Sequence, residues 1–188
     1  PVFGEFSVIE EWSATTFTDS PEYRHGISAP VVVDLDGDTI PEVIANFTRD
    51  SDWQRGILRA FRGDTGAEIW STSPTTDELN GRSSIAAGDL DGDGVPEILA
   101  AAVPAVGLLY AFDATGTRIW ASHRPDGTPH VMVLENGAPT IADLDMDGSP
   151  EIICGATVLD ATGTLVWEQG RGAYEGTNGT YSGGISAV

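Results

Sequence analysis

Three evenly spaced copies of one acidic motif constrain the fold of this chain more than any other feature. Each copy reads as an apolar run, a D-x-D-x-D-x-x-P-E loop and a second apolar run, and the first aspartates are Asp34, Asp89 and Asp143. The copies therefore recur every 54 or 55 residues. A constant period of this length indicates one supersecondary unit that is repeated and packs against its neighbours.

A second motif follows each acidic loop. It spans residues 56–70, 107–120 and 157–167, and in each copy a Thr-Gly pair separates two apolar segments, the second of which ends in Trp. Glycine supplies the positive φ that a tight hairpin requires, so each copy predicts two more strands. Four short strands in a unit of about 50 residues are typical of a β-propeller blade.

The predicted fold class is all-β, built from β-propeller blades of four antiparallel strands, with about three complete blades and partial blades at both ends. Residues 26–74, 83–123 and 138–170 are the predicted blades. Residues 1–15 are the expected end of a preceding blade, and residues 183–188 the first strand of a further one.

Finer strand predictions follow from the same alignment. In the first blade, residues 27–33 and 42–47 are the expected first two strands. In the partial blade before it, residues 7–12 are the expected fourth strand, which ends in Trp12. Propellers close with about four to eight blades. The open ends therefore predict the rest of a longer chain, or neighbouring subunits that complete the fold, and a filament of such subunits is a third arrangement.

The acidic loops predict metal sites. Carboxylates fall at loop positions 1, 3, 5 and 9, and a tight turn directs alternate side chains to its interior. Oxygen ligands in this number suit Ca²⁺, which takes six to eight of them at about 2.3–2.6 Å. Position 7 has a variable side chain and is placed to offer a backbone carbonyl. The alternative is an acidic surface turn without an ion, because Asp and Gly are common in turns.

These loops resemble FG-GAP/VCBS repeats, which are the blades of the integrin α-chain propeller and of many bacterial surface and secreted proteins. The resemblance spans about residues 26 to 170 and implies three Ca²⁺ ions, each held by four carboxylates and one backbone carbonyl. The implied ligands are Asp34, Asp36, Asp38, Ile40 O and Glu42; Asp89, Asp91, Asp93, Val95 O and Glu97; and Asp143, Asp145, Asp147, Ser149 O and Glu151. The Thr-Gly hairpins are also similar to the quinoprotein-type propeller repeat, in which the Trp docks between blades.

Charge excludes several classes of partner. The 188 residues contain 29 Asp and Glu against nine basic residues, all of them Arg, and the formal net charge is −20. Nucleic acid needs clustered basic residues, so it is not an expected partner. No apolar stretch approaches the roughly 18 residues of a spanning helix, so we expect no membrane insertion.

Two functions remain open at this point. The first is a non-catalytic module, extracellular or at the cell surface, for adhesion, ligand binding or surface and filament structure. Its ligand would be a protein or a glycan. The alternative is the propeller portion of a secreted carbohydrate-active enzyme similar to a polysaccharide lyase, or of a quinoprotein. Weakly binding Ca²⁺ loops fill only where calcium is near millimolar, which favours a secreted protein.

A few single residues carry further expectations. Trp70, Trp120 and Trp167 have the regular spacing of packing residues, although a row of sugar-stacking rings is the alternative. Trp53 lies in the longest insertion between strands and is the best candidate for an exposed contact residue. Cys154 aligns with Ala45 and Ala100, so a small buried thiol is expected.

Overall fold

The computed structural model describes residues 9–103, 106–134 and 137–168, although the side chains of Val106 and Val133 are not included. The described residues form β-strands, turns and irregular segments and contain no helix. They accordingly include no helix that is long and apolar enough to cross a membrane. The predicted strand at residues 183–188 lies outside the described residues.

Three antiparallel sheets follow one another along the chain, and each carries one copy of both motifs. Sheet 1 contains β1 (Tyr23–Gly26), β2 (Val31–Val33), β3 (Glu42–Arg49), β4 (Asp52–Arg62), β5 (Glu68–Ser71) and β6 (Leu79–Asn80). Sheet 2 contains β7 (Ala86–Gly88), β8 (Glu97–Ala101), β10 (Leu109–Phe112) and β11 (Arg118–Ala121). Sheet 3 contains β13 (Thr140–Ala142), β14 (Glu151–Cys154), β15 (Thr157–Leu159) and β16 (Leu165–Glu168). A separate two-stranded pair consists of β9 (Val106–Gly107) and β12 (Met132–Val133).

The same four-stranded meander lies within every sheet. In sheet 1 its order is β2-β3-β4-β5, in sheet 2 β7-β8-β10-β11 and in sheet 3 β13-β14-β15-β16. An irregularity beside the Thr-Gly turn also repeats. In each sheet the pairing between the third and fourth strands of the meander shifts by one residue, at Ile69, Ile119 or Val166. All-β structure and four-stranded antiparallel sheets are thus confirmed for the described residues.

Some strand predictions were wrong in detail. The first strand of sheet 1 covers Val31–Val33 instead of residues 27–33, since Pro30 has no amide hydrogen to donate and restricts the residue before it. The described part of the strand predicted at residues 7–12, residues 9–12, belongs to no strand. Strands β1, β6, β9 and β12 were not predicted.

The apolar side chains form two core layers, one on each face of sheet 2. The layer between sheets 1 and 2 contains Leu35, Ile44, Leu58, Ala60, Leu79, Ile85, Ile98, Ala100 and Phe112. The layer between sheets 2 and 3 contains Leu90, Leu99, Ala101, Leu109, Ala111, Met132, Leu134, Ile152, Cys154 and Leu159. Residues 98–101 of β8 thus face the two layers alternately, which is why all four are apolar.

Tryptophan side chains pack against the sheet that follows them in the chain. The Trp12 indole donates to Gly63 O at 2.7 Å, and the Trp70 indole donates to Ala114 O at 2.9 Å. A Cβ atom on Gly66, Gly116 or Gly163 would lie 2.4, 2.6 or 2.5 Å from the ring of Trp12, Trp70 or Trp120 respectively. Each of these rings therefore packs on the Thr-Gly turn of the sheet that follows it, as expected for Trp70 and Trp120, whereas Trp167 is exposed and the packing expected of it is not seen among the described residues.

Candidate metal centres

The three acidic loops connect the first two strands of each meander and fold around their first aspartate. The carboxylate of Asp34 accepts hydrogen bonds from the amides of Gly37 (2.8 Å) and Thr39 (2.9 Å). Asp89 accepts the equivalent bonds from Gly92 (2.7 Å) and Gly94 (2.9 Å). In the third loop, Asp143 accepts from the amides of Asp147 (3.1 Å) and Gly148 (3.0 Å).

Two positions in every loop have a left-handed backbone. These are positions 4 and 6, with φ of 76° at Gly37, 73° at Thr39, 79° at Gly92, 89° at Gly94, 63° at Met146 and 94° at Gly148. Glycine adopts this conformation without cost, whereas a residue with a Cβ is strained by about 1 kcal/mol or more. Thr39 and Met146 adopt it nonetheless, so the loop geometry is preserved where its sequence departs from the pattern.

The glutamate at position 9 crosses the loop. It is the first residue of β3, β8 or β14, and its Oε2 accepts the amide of the leucine at position 2. The distances are 2.9 Å for Glu42 and Leu35, 2.8 Å for Glu97 and Leu90, and 2.7 Å for Glu151 and Leu144. This bond fixes each glutamate opposite the aspartates at positions 1 and 3.

Three carboxylates converge in every loop. In each group, one oxygen per residue lies within 4.8 Å of the others. The groups are Asp34, Asp36 and Glu42; Asp89, Asp91 and Glu97; and Asp143, Asp145 and Glu151. The structure therefore brings together the predicted ligands at positions 1, 3 and 9, and these three clusters could each hold a metal ion.

The aspartate at position 5 is not part of these clusters. Asp38, Asp93 and Asp147 each accept the amide of the residue at position 7, Ile40 (2.8 Å), Val95 (2.7 Å) or Ser149 (2.8 Å). The Ile40 amide lowers the pKa of Asp38, with further help from the Arg62 guanidinium at 3.0 Å. Ligation by the position 5 carboxylates and by the position 7 carbonyls stays a prediction.

Glu42 supplies the observation that most favours a cation. Its side chain is 1% exposed and its Oε1 atom is buried without a hydrogen-bond partner. Asp34 and Asp36 bring two more carboxylates close to it. A buried polar atom without a partner costs about 1–3 kcal/mol, and a charged one costs more. Neighbouring negative charges add to that cost. A cation in contact with these oxygens would remove both penalties.

The second cluster has the same electrostatic character. Burial raises the pKa of Glu97, and the negative charges of Asp91, Asp93 and Asp89 raise it further, although the Leu90 amide opposes them. All of the converging groups are carboxylates, which are the hard oxygen donors preferred by Ca²⁺ and Mg²⁺. Zn²⁺ usually takes Cys or His in such a site, and these clusters contain neither.

Exposure to solvent distinguishes the third loop from the other two. The leucine at position 2 is 4% exposed at Leu35 and 3% at Leu90, but 44% exposed at Leu144. Leu35 and Leu90 lie in the core layers formed with the following sheet. Glu151 is likewise only half-buried, whereas Glu42 and Glu97 are buried.

Arg62 is a neighbour of the first site that the sequence did not reveal. Besides Asp38 it contacts Asp64, with Nε 3.1 Å from Oδ1. Arg62 and Asp64, on either side of Gly63, thus contact each other in the turn that follows β4. Only the pairing of β3 with β4, which places Arg62 opposite Glu42, brings this arginine to the acidic loop.

Comparison with known proteins identifies the repeat. Residues 34–100 match the FG-GAP-like repeat, and residues 81–120 match the FG-GAP repeat. The chain therefore contains FG-GAP repeats. The third acidic loop lies beyond both matched ranges and is related to the other two by its sequence and its hydrogen bonds. No relative was found among curated proteins.

Several solved structures share the fold. The V. cholerae biofilm matrix protein Bap1 superposes with a TM-score of 0.54 at 23% identity, over 84% of this chain and 33% of Bap1. The rhamnogalacturonan lyase YesW superposes with a TM-score of 0.53 at 21% identity, over 78% of this chain and 32% of the lyase. The Bacillus licheniformis rhamnogalacturonan lyase PL11 superposes with a TM-score of 0.53 at 19% identity, over 89% of this chain and 33% of the lyase. The chain spans about a third of the length of these proteins, and the similarity concerns the fold alone.

Proposed function

We propose that this chain is part of an extracellular, calcium-stabilised β-propeller module that binds a ligand or builds a surface structure and is not itself catalytic. The observation that carries the proposal is the buried, unpartnered Oε1 of Glu42 within a cluster of three carboxylates. The same cluster recurs in the other two loops. A divalent cation in each would stabilise the connection between two strands.

Calcium fits the sites better than other common cations. Mg²⁺ retains several waters and requires strict octahedral geometry, whereas Ca²⁺ accepts carboxylates and carbonyls in flexible arrangements. The proposed ligand set is the one implied by the repeat, with the aspartates at positions 1, 3 and 5, the carbonyl at position 7 and the glutamate at position 9. When bound, about three Ca²⁺ ions would supply positive charge to loops that otherwise concentrate carboxylates.

The propeller arrangement is supported by the packing of the sheets. Sheet 2 presents one face to sheet 1 and the other to sheet 3, and a Trp joins each of these two pairs of sheets. We take residues 26–74, 83–123 and 138–170 as three blades of such an arrangement. The packing of Trp on a Thr-Gly turn also supports the resemblance to quinoprotein-type repeats.

An extracellular role is supported by the repeat and by the biofilm matrix protein among the similar structures. Loops of this kind in extracellular modules bind Ca²⁺ with dissociation constants of about 10⁻⁴ to 10⁻³ M, so they fill where calcium is near millimolar. An adhesive or structural role in a surface layer is consistent with both observations.

A lyase-like enzyme is the second candidate because rhamnogalacturonan lyases are among the similar structures. A lyase that acts on a polyuronate needs cationic groups to hold the substrate. Most arginines of the described residues already pair with carboxylates, as in Arg24–Asp50, Arg55–Asp52, Arg59–Glu68, Arg62–Asp38, Arg118–Asp77 and Arg124–Glu168. We therefore favour the non-catalytic module. Ultraviolet absorbance from an unsaturated product of rhamnogalacturonan would reverse this preference.

Thermal unfolding with and without calcium tests the proposed function. Saturating Ca²⁺ should raise Tm relative to excess chelator, because a ligand at 100 times its Kd stabilises the native state by about 2.7 kcal/mol per site. Mg²⁺ at the same concentration should raise Tm less. Titration calorimetry should give a stoichiometry of about three.

Substitutions assign the effect to the clusters. Glu42→Gln, Glu97→Gln and Glu151→Gln should each lower the stoichiometry by about one and reduce the Ca²⁺-dependent rise in Tm. Glu11→Gln removes one negative charge from an exposed position outside the clusters and should leave both unchanged. An unfolding curve that chelator does not move would refute the calcium sites.

A further inference from the structure

The hairpin between β3 and β4 is extended in sheet 1 alone among the three sheets. Strands β3 and β4 have 8 and 11 residues, whereas the equivalent strands have 5 and 4 in sheet 2 and 4 and 3 in sheet 3. The added segment, residues 47–56, projects beyond the meander that the three sheets share. We call it the Trp53 hairpin.

The Trp53 hairpin is held along both of its edges. Strand β1 pairs with its first arm through His25 and Thr48, and β6 pairs with its second arm through Arg55 and Asn80. The Gly81 amide donates to Gln54 O at 3.0 Å, and a Cβ atom on Gly81 would lie 2.6 Å from Trp53 O. The backbone that carries Trp53 is thus closely packed against β6 and Gly81.

The Trp53 side chain is 62% exposed and borders a surface depression of about 450 Å³. The other residues that line the depression are all polar: Asp50, Ser51, Asp52, Gln54 and Arg82. A large aromatic ring beside hydrogen-bonding groups suits a ligand that has both an apolar face and several hydroxyl groups.

The polar groups beside Trp53 are already oriented. Asp50 forms an ion pair with Arg24, and its Oδ1 lies 2.9 Å from Nε2 of His25. The Asp52 carboxylate accepts a hydrogen bond from the backbone amide of Gln54 at 3.0 Å and lies 3.3 Å from Nε of Arg55. Fixed carboxylates that retain free lone pairs accept hydrogen bonds from vicinal hydroxyl groups. The side-chain amide of Gln54 can both donate and accept.

We propose that the Trp53 hairpin is a carbohydrate-binding site in which the indole face stacks against a pyranose ring and the flanking polar groups bind its hydroxyls. The charge of −20 and the absence of Lys oppose a uronate-rich polymer, so the ligand class is a neutral glycan. This inference rests on the proposed function and specifies its ligand.

Binding of defined oligosaccharides to the calcium-loaded chain tests the inference. The probes are gluco-, galacto-, manno- and xylo-hexasaccharides, with polygalacturonate as the acidic comparison, measured by titration calorimetry up to 10 mM. At least one neutral hexasaccharide should bind, and Trp53→Ala should weaken that binding at least tenfold. Trp53→Tyr should retain part of the affinity, because an aromatic face remains.

Trp167→Ala is the matched control, since this ring is also exposed, at 51%, but belongs to β16 of sheet 3. It should bind as the unmodified chain does. The inference is overturned if no neutral probe binds, if only polygalacturonate binds, or if Trp53→Ala binds like the unmodified chain. It is equally overturned if Trp167→Ala abolishes binding as well.

Melting curves of every variant in Ca²⁺ and in chelator separate this inference from the proposed function. Loss of glycan binding in a chain that calcium still stabilises refutes only the carbohydrate site. A chain that binds the glycan through Trp53 but is not stabilised by calcium refutes the calcium-dependent module and supports the carbohydrate site. Chromatography of the recovered hexasaccharide should show no cleavage.

Discussion

At the scale of single residues, buried polar side chains carry most of the information about this protein. Glu42 combines deep burial with an unpartnered oxygen, and this combination makes the first acidic loop the clearest candidate for a cation. Cys154 shows the opposite case. It is buried in the core layer between sheets 2 and 3, and burial raises the pKa of its thiol to about 12. The expectation of a small buried thiol is confirmed.

His130 is another buried polar side chain, and its surroundings predict a pH dependence. It is 1% exposed, neither ring nitrogen has a hydrogen-bond partner, and Nε2 lies 3.8 Å from Glu168. Burial lowers the pKa of His130 below 6.5; the Glu168 carboxylate opposes this shift and the Arg124 guanidinium adds to it. The folded protein therefore holds this imidazole neutral at pH 7.

Stability should consequently fall as the pH decreases from 7 to 5. Below about pH 6.5 the unfolded chain takes up a proton that the folded chain does not, and each unit of pKa difference is worth about 1.4 kcal/mol. Well above pH 6.5 both states are neutral at this position and the effect vanishes. Urea unfolding at saturating Ca²⁺ measures it, and His130→Leu should reduce the loss between pH 7 and pH 5. An identical loss in His130→Leu would show that other groups are responsible.

At the scale of elements, the contact between a Trp and the next Thr-Gly turn is the unit that joins one sheet to another. It occurs at Gly66, Gly116 and Gly163 with nearly the same geometry. Each glycine has a positive φ and leaves no space for a Cβ atom. The sequence motif therefore has two separable requirements, a left-handed backbone and room for the ring.

Two glycine substitutions separate these requirements. Gly116→Ala introduces both a strained φ of 79° and a Cβ atom 2.6 Å from the Trp70 ring. Gly127→Ala introduces a similar φ of 81° with no atom within 4 Å. The first should cost about 1–3 kcal/mol more than the second, because crowding of a packed ring is added to backbone strain. Denaturant unfolding measures the difference, and equal losses would mean that the ring moves aside freely.

At the scale of the whole molecule, the repulsion between negative charges opposes folding. The whole chain has a formal charge of −20, and the acidic loops concentrate part of it. Three bound Ca²⁺ ions would change the formal charge from −20 to −14. Self-repulsion of this kind destabilises a folded chain and is reduced by dissolved salt.

Sodium chloride should therefore stabilise the calcium-free protein. In chelator, raising NaCl from 10 to 500 mM shortens the Debye length from about 30 Å to a few Å, and Tm should rise by several degrees. The surface ion pairs oppose this trend only weakly, because exposed pairs contribute about 0–1 kcal/mol each. The same step in saturating Ca²⁺ should have a smaller effect. A Tm that falls with salt in chelator would indicate that the ion pairs outweigh the repulsion.

The sequence by itself determined the features that depend on neighbouring residues. Alternation of apolar residues indicated the meanders, and the Thr-Gly pairs indicated their hairpins. The D-x-D-x-D-x-x-P-E pattern indicated which residues could converge, and the carboxylates at positions 1, 3 and 9 of each loop do so. These are local properties, since a turn and its flanking strands are specified by about ten consecutive residues.

Only the tertiary structure decided the properties that depend on residues distant in sequence. Strands β1 and β6 pair with the Trp53 hairpin, whose edges no local pattern identifies. Leu35 and Leu90 are buried and Leu144 is exposed although all three occupy one motif position, because burial depends on whether a following sheet covers the residue. Equivalent positions of one motif thus differ in burial, and it is the burial of Glu42 that leaves a carboxylate oxygen without a partner.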